Sequence, residues 1–192
     1  MKKILLSSIL LASTAFAYDM GVNLGYSHFD ISQSNSDNII LGKNTPSSTG
    51  YALEAFYSRD CLLVEDKSIK NYASINYAKH DDIAQYSFLA GLNKEYEKED
   101  YTLYAGVLVG YGVLHYSYNP LNTTDKVDKD AGSFLYGLQG GMKYSLKNNY
   151  SLNLGIKHLI ADYKTKLESN GATGNINHNN QSTFSIGLGY SF

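Results

Sequence analysis

Residues 184–192 read FSIGLGYSF, in which large apolar side chains alternate with glycine and serine. In a β-strand, residues two positions apart lie on the same face. Phe184, Ile186, Leu188, Tyr190 and Phe192 therefore share one face, and the small residues share the other. A strict period of two predicts a strand with one apolar and one polar face.

Seven further segments show the same alternation with varying strength. They are Met20–Asp30, Thr49–Ser58, Asn71–Lys79, Ile83–Asn93, Tyr101–His115, Ser133–Leu146 and Tyr150–Lys164. Most are long enough for the roughly 9–11 residues that a tilted membrane strand needs. The weakest stretch is Cys61–Lys70, where Leu62, Leu63 and Val64 are expected either to extend the second strand or to form a packed turn.

The links between these segments alternate between long and short. The long links, Ile31–Ser48, Tyr116–Gly132 and Thr165–Gln181, are rich in Asn, Ser, Thr, Gly and Asp, which is loop composition. Lys94–Asp100 and Lys147–Asn149 are shorter. His80–Asp82 is also very short, although its place in the alternation of links predicts a long one. Short turns at one end and long loops at the other are typical of outer-membrane barrels.

The first 17 residues indicate export. Lys2 and Lys3 precede an apolar run, and Ala15-Phe16-Ala17 has the small-residue pattern of a signal-peptidase site. We therefore expect a signal peptide at 1–17, cleaved after Ala17, and a barrel at 18–192. The only cysteine, Cys61, excludes an intrachain disulfide. A formal net charge of -2 without a basic stripe argues against a nucleic-acid partner, and the scattered histidines predict neither a metal site nor a cofactor.

The polar faces carry mostly small residues, which suit the narrow interior of an eight-stranded barrel. The apolar faces carry aliphatic residues centrally and tyrosines near the strand ends, as a lipid-facing surface with aromatic girdles does. The sequence therefore predicts an all-β, eight-stranded, antiparallel up-and-down transmembrane β-barrel with a filled polar lumen. Charges are costly there unless they pair, so Glu54 is expected to meet Lys143 or Lys157, alongside Gln139.

The end of the chain resembles the assembly signal of bacterial outer-membrane proteins, with Phe192 preceded by Tyr190 and Leu188 at alternate positions. The strand number and loop pattern resemble the OmpA-like and opacity-like small barrels, without a peptidoglycan-binding domain. The resemblance implies a location in the cell outer membrane. It also implies contact with its lipids, periplasmic chaperones and the barrel-assembly machinery, and a structural or adhesin-like role in which loops meet host or surface ligands.

Two other functions stay open at the level of sequence. His115 and Ser117 lie on one face, and this H-x-S pair resembles that of lipid A deacylases, which would make the protein an outer-membrane esterase. That pattern has Asn directly after the serine, where this chain has Tyr118. The second alternative is a soluble lipocalin-like binding barrel, which requires the apolar faces to point inward.

Overall fold

The computed structural model describes residues 18–35, 48–118, 127–169 and 172–192. The signal-peptide prediction therefore lies outside the described residues. Nine strands form within the described part, each from a segment of alternating polarity. They are β1 (Tyr18–Asn35), β2 (Thr49–Asp60), β3 (Ile69–His80), β4 (Ile83–Glu97), β5 (Tyr101–Tyr118), β6 (Val127–Ser145), β7 (Tyr150–Ile160), β8 (Tyr163–Ser169) and β9 (Ala172–Ser191). No helix long and apolar enough to cross a membrane occurs in these residues.

The sheet closes into a barrel in which eight strand positions, called walls below, surround the lumen. Each strand from β1 to β7 pairs antiparallel with the next, and β9 pairs with both β7 and β1. The strands β7 and β8 are two parts of one wall, because both pair with β9 and the register slips by one residue between Leu159↔Gln181 and Tyr163↔His178. The predicted eight-stranded antiparallel barrel is confirmed, with a break in its seventh strand at Ala161–Asp162.

The two ends of the barrel differ in their connections. At one end, here called the turn end, lie both chain termini of the described barrel and the short turns, including one with Asn148 and Asn149 at φ 60° and 64°. These left-handed conformations are the ones that tight hairpin turns require. At the opposite end, the long-hairpin end, the predicted short link at His80–Asp82 is a tight turn with Asp81 at φ 43°.

Strand structure extends into all three long links, which corrects the prediction of loops wherever these residues are described. Of Ile31–Ser48, residues 31–35 continue β1, and 36–47 lie outside the described residues. In Tyr116–Gly132, strand structure covers 116–118 and 127–132, and in Thr165–Gln181 it covers 165–169 and 172–181. Their composition resembles a loop because the outer face of these strands lies beyond the belt and carries polar side chains, so the apolar alternation that reveals a membrane strand is lost.

The apolar faces point outward, as predicted. Val22, Ile75, Val109, Leu138 and Ile186 are all exposed on the outside of the barrel. Two aromatic belts frame this apolar band. The hairpin-end belt consists of Tyr26, Tyr51, Tyr77, Tyr86, Tyr111 and Phe134, and the turn-end belt consists of Tyr18, Tyr57, Tyr150, Tyr190 and Phe192.

Candidate functional site

Glu54 is the centre of a buried polar cluster in the lumen. Its carboxylate accepts hydrogen bonds from Lys157 Nζ, from Tyr72 Oη at 2.6 Å and from Asn23 Nδ2 at 2.9 Å. Glu54 and Lys157 are each only 8% exposed. Lys157 also donates to Asn76 Oδ1 at 3.1 Å. An ion pair with this many partners closes the lumen in the middle of the barrel, because the carboxylate and the ammonium are both held in place.

Lys143, the other lysine considered for Glu54, has different partners. Its Nζ lies 2.6 Å from Glu95 Oε1 and 2.9 Å from Asp19 Oδ2, nearer the turn end of the lumen. Neither acid is predicted from the sequence, because the fourth segment of alternation ends at Asn93 and the first begins at Met20. The period of two, extended two residues along β4, places Glu95 on the lumen face and could have identified it.

The remaining lumen residues fill the space between these two ion pairs. Gln139 donates from Nε2 to Asn93 Oδ1 at 2.8 Å. The Tyr104 side chain lies against the neighbouring strands β6 and β7, where a Cβ added to Gly141 or Gly155 would lie only 2.6 Å or 2.9 Å from its hydroxyl. A cavity of about 20 Å³ remains beside Asn23, Ser58 and Asn153, each of which has a side-chain polar atom without a partner among the described residues. A cavity of this size and polarity suits an ordered water molecule.

The half of the lumen towards the long-hairpin end contains a large buried apolar cluster beside buried polar residues such as Gln85 and Gln181, which corrects the prediction of a filled polar lumen. We call this cluster the apolar cap. Its members are all buried, and they are Phe29, Ile83, Leu89, Leu108, Leu114, Tyr116, Ala131, Leu135, Leu159, Ala161, Tyr163 and Ile176. Several of them come from segments with the composition of loops, for which the sequence predicts no inward face. The apolar cap and the Glu54–Lys157 pair together block the lumen.

Two histidines are buried with the apolar cap. The ring of Phe29 lies 4.8 Å from His80 and 6.2 Å from His178, centroid to centroid. His178 lies in the predicted long link Thr165–Gln181, but β9 begins before it and turns its ring inward, where it is 0% exposed. Neither ring nitrogen of His178 has a hydrogen-bond partner among the described residues. His178 therefore acts as a packing residue of the cap.

His115 and Ser117 lie together on the outer face of β5, above Tyr111 and beyond the hairpin-end belt. Asp130, opposite His115 in the register, places Oδ1 2.6 Å from His115 Nδ1. The Ser117 hydroxyl donates to Asp128 Oδ1, and that same oxygen lies 3.8 Å from His115 Nε2. The arrangement therefore has a histidine oriented by an acid, while the serine proton is directed to a second carboxylate.

Metal chemistry has no evident site in the described residues. They contain no group of three or more His, Cys, Asp or Glu side chains that could hold an ion. His115, Asp128 and Asp130 are instead a hydrogen-bonded surface cluster, and Cys61 is a buried free thiol at the start of a turn.

A family model described as the outer membrane protein beta-barrel domain matches residues 4–192. The chain belongs to this family. The family and the lipid-facing aliphatic surface place the protein in the cell outer membrane. No curated protein matches the sequence.

Solved structures with the same fold are also small outer-membrane proteins. Neisserial surface protein A is 13% identical, with 92% of this chain and 99% of that chain covered and a TM-score of 0.62. OprG from Pseudomonas aeruginosa is 13% identical over 93% and 96% of the two chains, with a TM-score of 0.64. The attachment invasion locus protein of Yersinia pestis is 14% identical over 91% and 98%, with a TM-score of 0.50.

The asymmetry of the connections indicates how the barrel is oriented in the membrane. Outer-membrane barrels have short turns in the periplasm and long connections outside the cell. We therefore assign the turn end to the periplasm and the apolar cap to the extracellular side. Leu188 and Tyr190 lie on the lipid-facing side of β9, and the ring of Phe192 lies 4.5 Å from that of Tyr18. Recognition of these residues by the assembly machinery stays a prediction.

Proposed function

We propose that this protein is a surface-interaction protein, whose binding surface is formed by the strands that project beyond the hairpin-end belt. The observation that carries the proposal is the length by which these strands extend beyond the belt. β1 continues from Tyr26 of the belt to Asn35, and β9 begins at Ala172, well before Phe184. At roughly 3.3 Å per residue, such extensions carry the chain far past the hydrocarbon region.

The projecting strands form two ribbons of unequal width. One contains β8, β9 and the end of β1, with pairing that continues to Asn35↔Gly174. The other contains β5 and β6, which remain paired as far as Tyr118↔Val127. Between them the wall is low, because β3 and β4 turn at Asp81–Asp82. Two raised ribbons beside a low wall provide a shaped surface for a macromolecular ligand.

The closed lumen supports a role carried by the surface. The described lumen is filled by the polar clusters of Glu54 and Lys143 on the periplasmic side and by the apolar cap on the other. An eight-stranded barrel leaves room only for its own side chains, so transport through its interior would require both layers to open. The name of the similar Yersinia pestis protein, attachment invasion locus protein, is compatible with this proposal.

Replacing 117–128, at the end of the β5–β6 ribbon, or 166–175, at the end of the β8–β9 ribbon, with a short Gly-Ser linker tests the proposal. The intact protein, expressed in a non-adherent bacterium, is expected to increase attachment to cultured epithelial cells or matrix-coated plates. At least one replacement is expected to abolish the increase, because the ligand contacts are removed while the barrel is retained. A matched control replaces the periplasmic turn Lys147–Asn149. Full attachment by both outer variants, or no attachment by the intact protein, would contradict the proposal.

A second candidate function is hydrolysis of an ester in an outer-leaflet lipid. The observation that favours it is the 2.6 Å contact between His115 Nδ1 and Asp130 on the outward face, where lipid headgroups lie. Asp130 would hold the imidazole, and His115 Nε2 would take the proton of Ser117 once that hydroxyl rotated away from Asp128. Ser117 Oγ would then attack the acyl carbonyl, His115 would pass the proton to the departing lipid hydroxyl, and a water molecule would hydrolyse the acyl-serine to release the fatty acid.

Mass spectrometry of lipid A separates this candidate from the first. An esterase would remove an acyl chain when the protein is overexpressed, and Ser117→Ala would restore the original acyl pattern. Ser182→Ala is the matched control, since Ser182 is also a serine beside an exposed histidine, with its Oγ 2.9 Å from His158 Nδ1. An acyl pattern unaffected by the wild-type protein excludes the esterase and leaves the surface-interaction proposal intact.

A further inference from the structure

Three consecutive apolar residues are exposed in the turn between β2 and β3. The turn spans 61–68, and its residues Leu62, Leu63 and Val64 are 56%, 94% and 44% exposed. From the sequence, this stretch is expected to extend β2 or to pack as a turn, but its apolar side chains do neither. Water contact with three adjacent aliphatic side chains is unfavourable, so a partner for them is needed.

The polar half of the same turn is fixed to the neighbouring strand. Lys94 Nζ lies 2.6 Å from Asp66 Oδ2 and also donates to Ser68 Oγ. The backbone adds two bonds, from Glu95 N to the Ser68 carbonyl at 2.7 Å and from Cys61 N to the Ile69 carbonyl at 2.9 Å. These bonds define the position of the turn relative to β4.

Lys94 shows on which side of the wall the turn lies. It follows Phe88, Ala90 and Leu92 at every second position of β4, and these residues form the lipid-facing row. Because Asp66 and Ser68 reach the ammonium of Lys94, the turn leans towards the lipid side of the barrel. The hydrogen bond from Lys94, with those from Ser68, holds the pKa of Asp66 well below its usual value, so Asp66 is ionised at neutral pH.

The lipid-facing row of β3 lacks an aromatic residue at its periplasmic end. It runs from Tyr77 through Ile75, Ala73 and Asn71 to the aliphatic Ile69, whereas the adjacent row of β4 ends in an exposed tyrosine, Tyr96. Elsewhere the turn-end belt occupies this level. The apolar run therefore lies beside the one strand end in this region, that of β3, that contributes no aromatic residue to the turn-end belt.

We propose that Leu62, Leu63 and Val64 insert into the periplasmic leaflet of the outer membrane and complete the lipid-facing surface at the ends of β2 and β3. The occupant of this surface is phospholipid. The continuity of the turn with the lipid-facing row of β4 favours lipid over a periplasmic protein. The Lys94–Asp66 pair is suited to the interface, because its opposite charges cancel and both side chains remain solvated.

The sequence provides a clean probe, because the chain contains no tryptophan. Leu63→Trp would be refolded into phosphatidylethanolamine–phosphatidylglycerol vesicles with and without brominated acyl chains. We expect a blue-shifted emission maximum, strong quenching by the brominated chains and weak quenching by aqueous acrylamide. Leu154→Trp, on the lipid-facing side of β7, sets the signal for full immersion, and Lys147→Trp, in the β6–β7 turn, sets the signal for a turn in water.

A Leu63→Trp signal closer to that of Leu154→Trp than to that of Lys147→Trp supports the proposal. A signal closer to that of Lys147→Trp overturns it. Protection of the tryptophan that appears only in native membranes also overturns it, because the occupant is then a protein. Heat-modifiable gel mobility identifies folded samples. If Leu63→Trp does not fold, Val64→Trp is measured against the same two controls.

Discussion

Replacement of Lys157 with methionine is expected to lower the free energy of unfolding by about 3–5 kcal/mol, the usual loss when one partner of a buried ion pair is removed. Glu54 would keep Tyr72 and Asn23 as donors but would lose its only buried counterion in the central cluster of the described lumen. The measurement is urea-induced unfolding in phospholipid vesicles at pH 7, followed by the gel mobility of the unheated protein.

Two further variants show whether the loss comes from the ion pair. Glu54→Gln combined with Lys157→Met removes both charges, and most of the stability should return because no charge is left buried alone. Lys166→Met, at an exposed position of β8, should have a small effect. A loss of unfolding free energy below about 1 kcal/mol for Lys157→Met would be no larger than that of an exposed ion pair. Such a result would show that water enters the lumen freely and that Glu54 and Lys157 do not close it.

Replacement of Phe29 with alanine is expected to cost about 3–5 kcal/mol, the range found when a buried phenylalanine is truncated. Phe29 is 0% exposed and lies between His80 and His178, so its removal leaves a cavity in the apolar cap. The surrounding strands are fixed by their ladders and cannot close around the space. The same unfolding assay measures the loss.

Phe184→Ala is the matched control for Phe29→Ala. Phe184 is opposite Tyr26 on the neighbouring strand and faces lipid, with 59% of its surface exposed. Lipid chains can occupy the space that it leaves, so a smaller loss is expected. Equal losses for the two variants would mean that the apolar cap contributes no more to stability than contact with lipid does.

The period of two was sufficient to identify the transmembrane part of the fold. It located all eight walls and indicated which face of each meets lipid, because lipid demands a continuous apolar surface on every strand. It also placed Glu54, Lys143, Lys157 and Gln139 on the lumen face. It could not choose between the two lysines, since the partners are brought together by strand tilt and register and not by nearness in sequence.

The length of the projecting strands could not be predicted, for a different physical reason. Beyond the belt, a strand such as the first part of β9 no longer needs an apolar outer face, so Asn175, Asn177 and Asn179 resemble a loop in composition. Their strand structure depends on pairing with β1 and β8. The buried position of His178 follows from that pairing and was missed with it.

The sequence by itself determined that this chain is a membrane barrel of eight walls, because alternation of side chains is a local property of each strand. Only the tertiary structure decided how the lumen is filled. It paired Lys157 with Glu54, sent Lys143 to Glu95 and Asp19, and placed an apolar cap on the extracellular side. These contacts join residues on different walls, and the closure of the barrel sets which of them face each other.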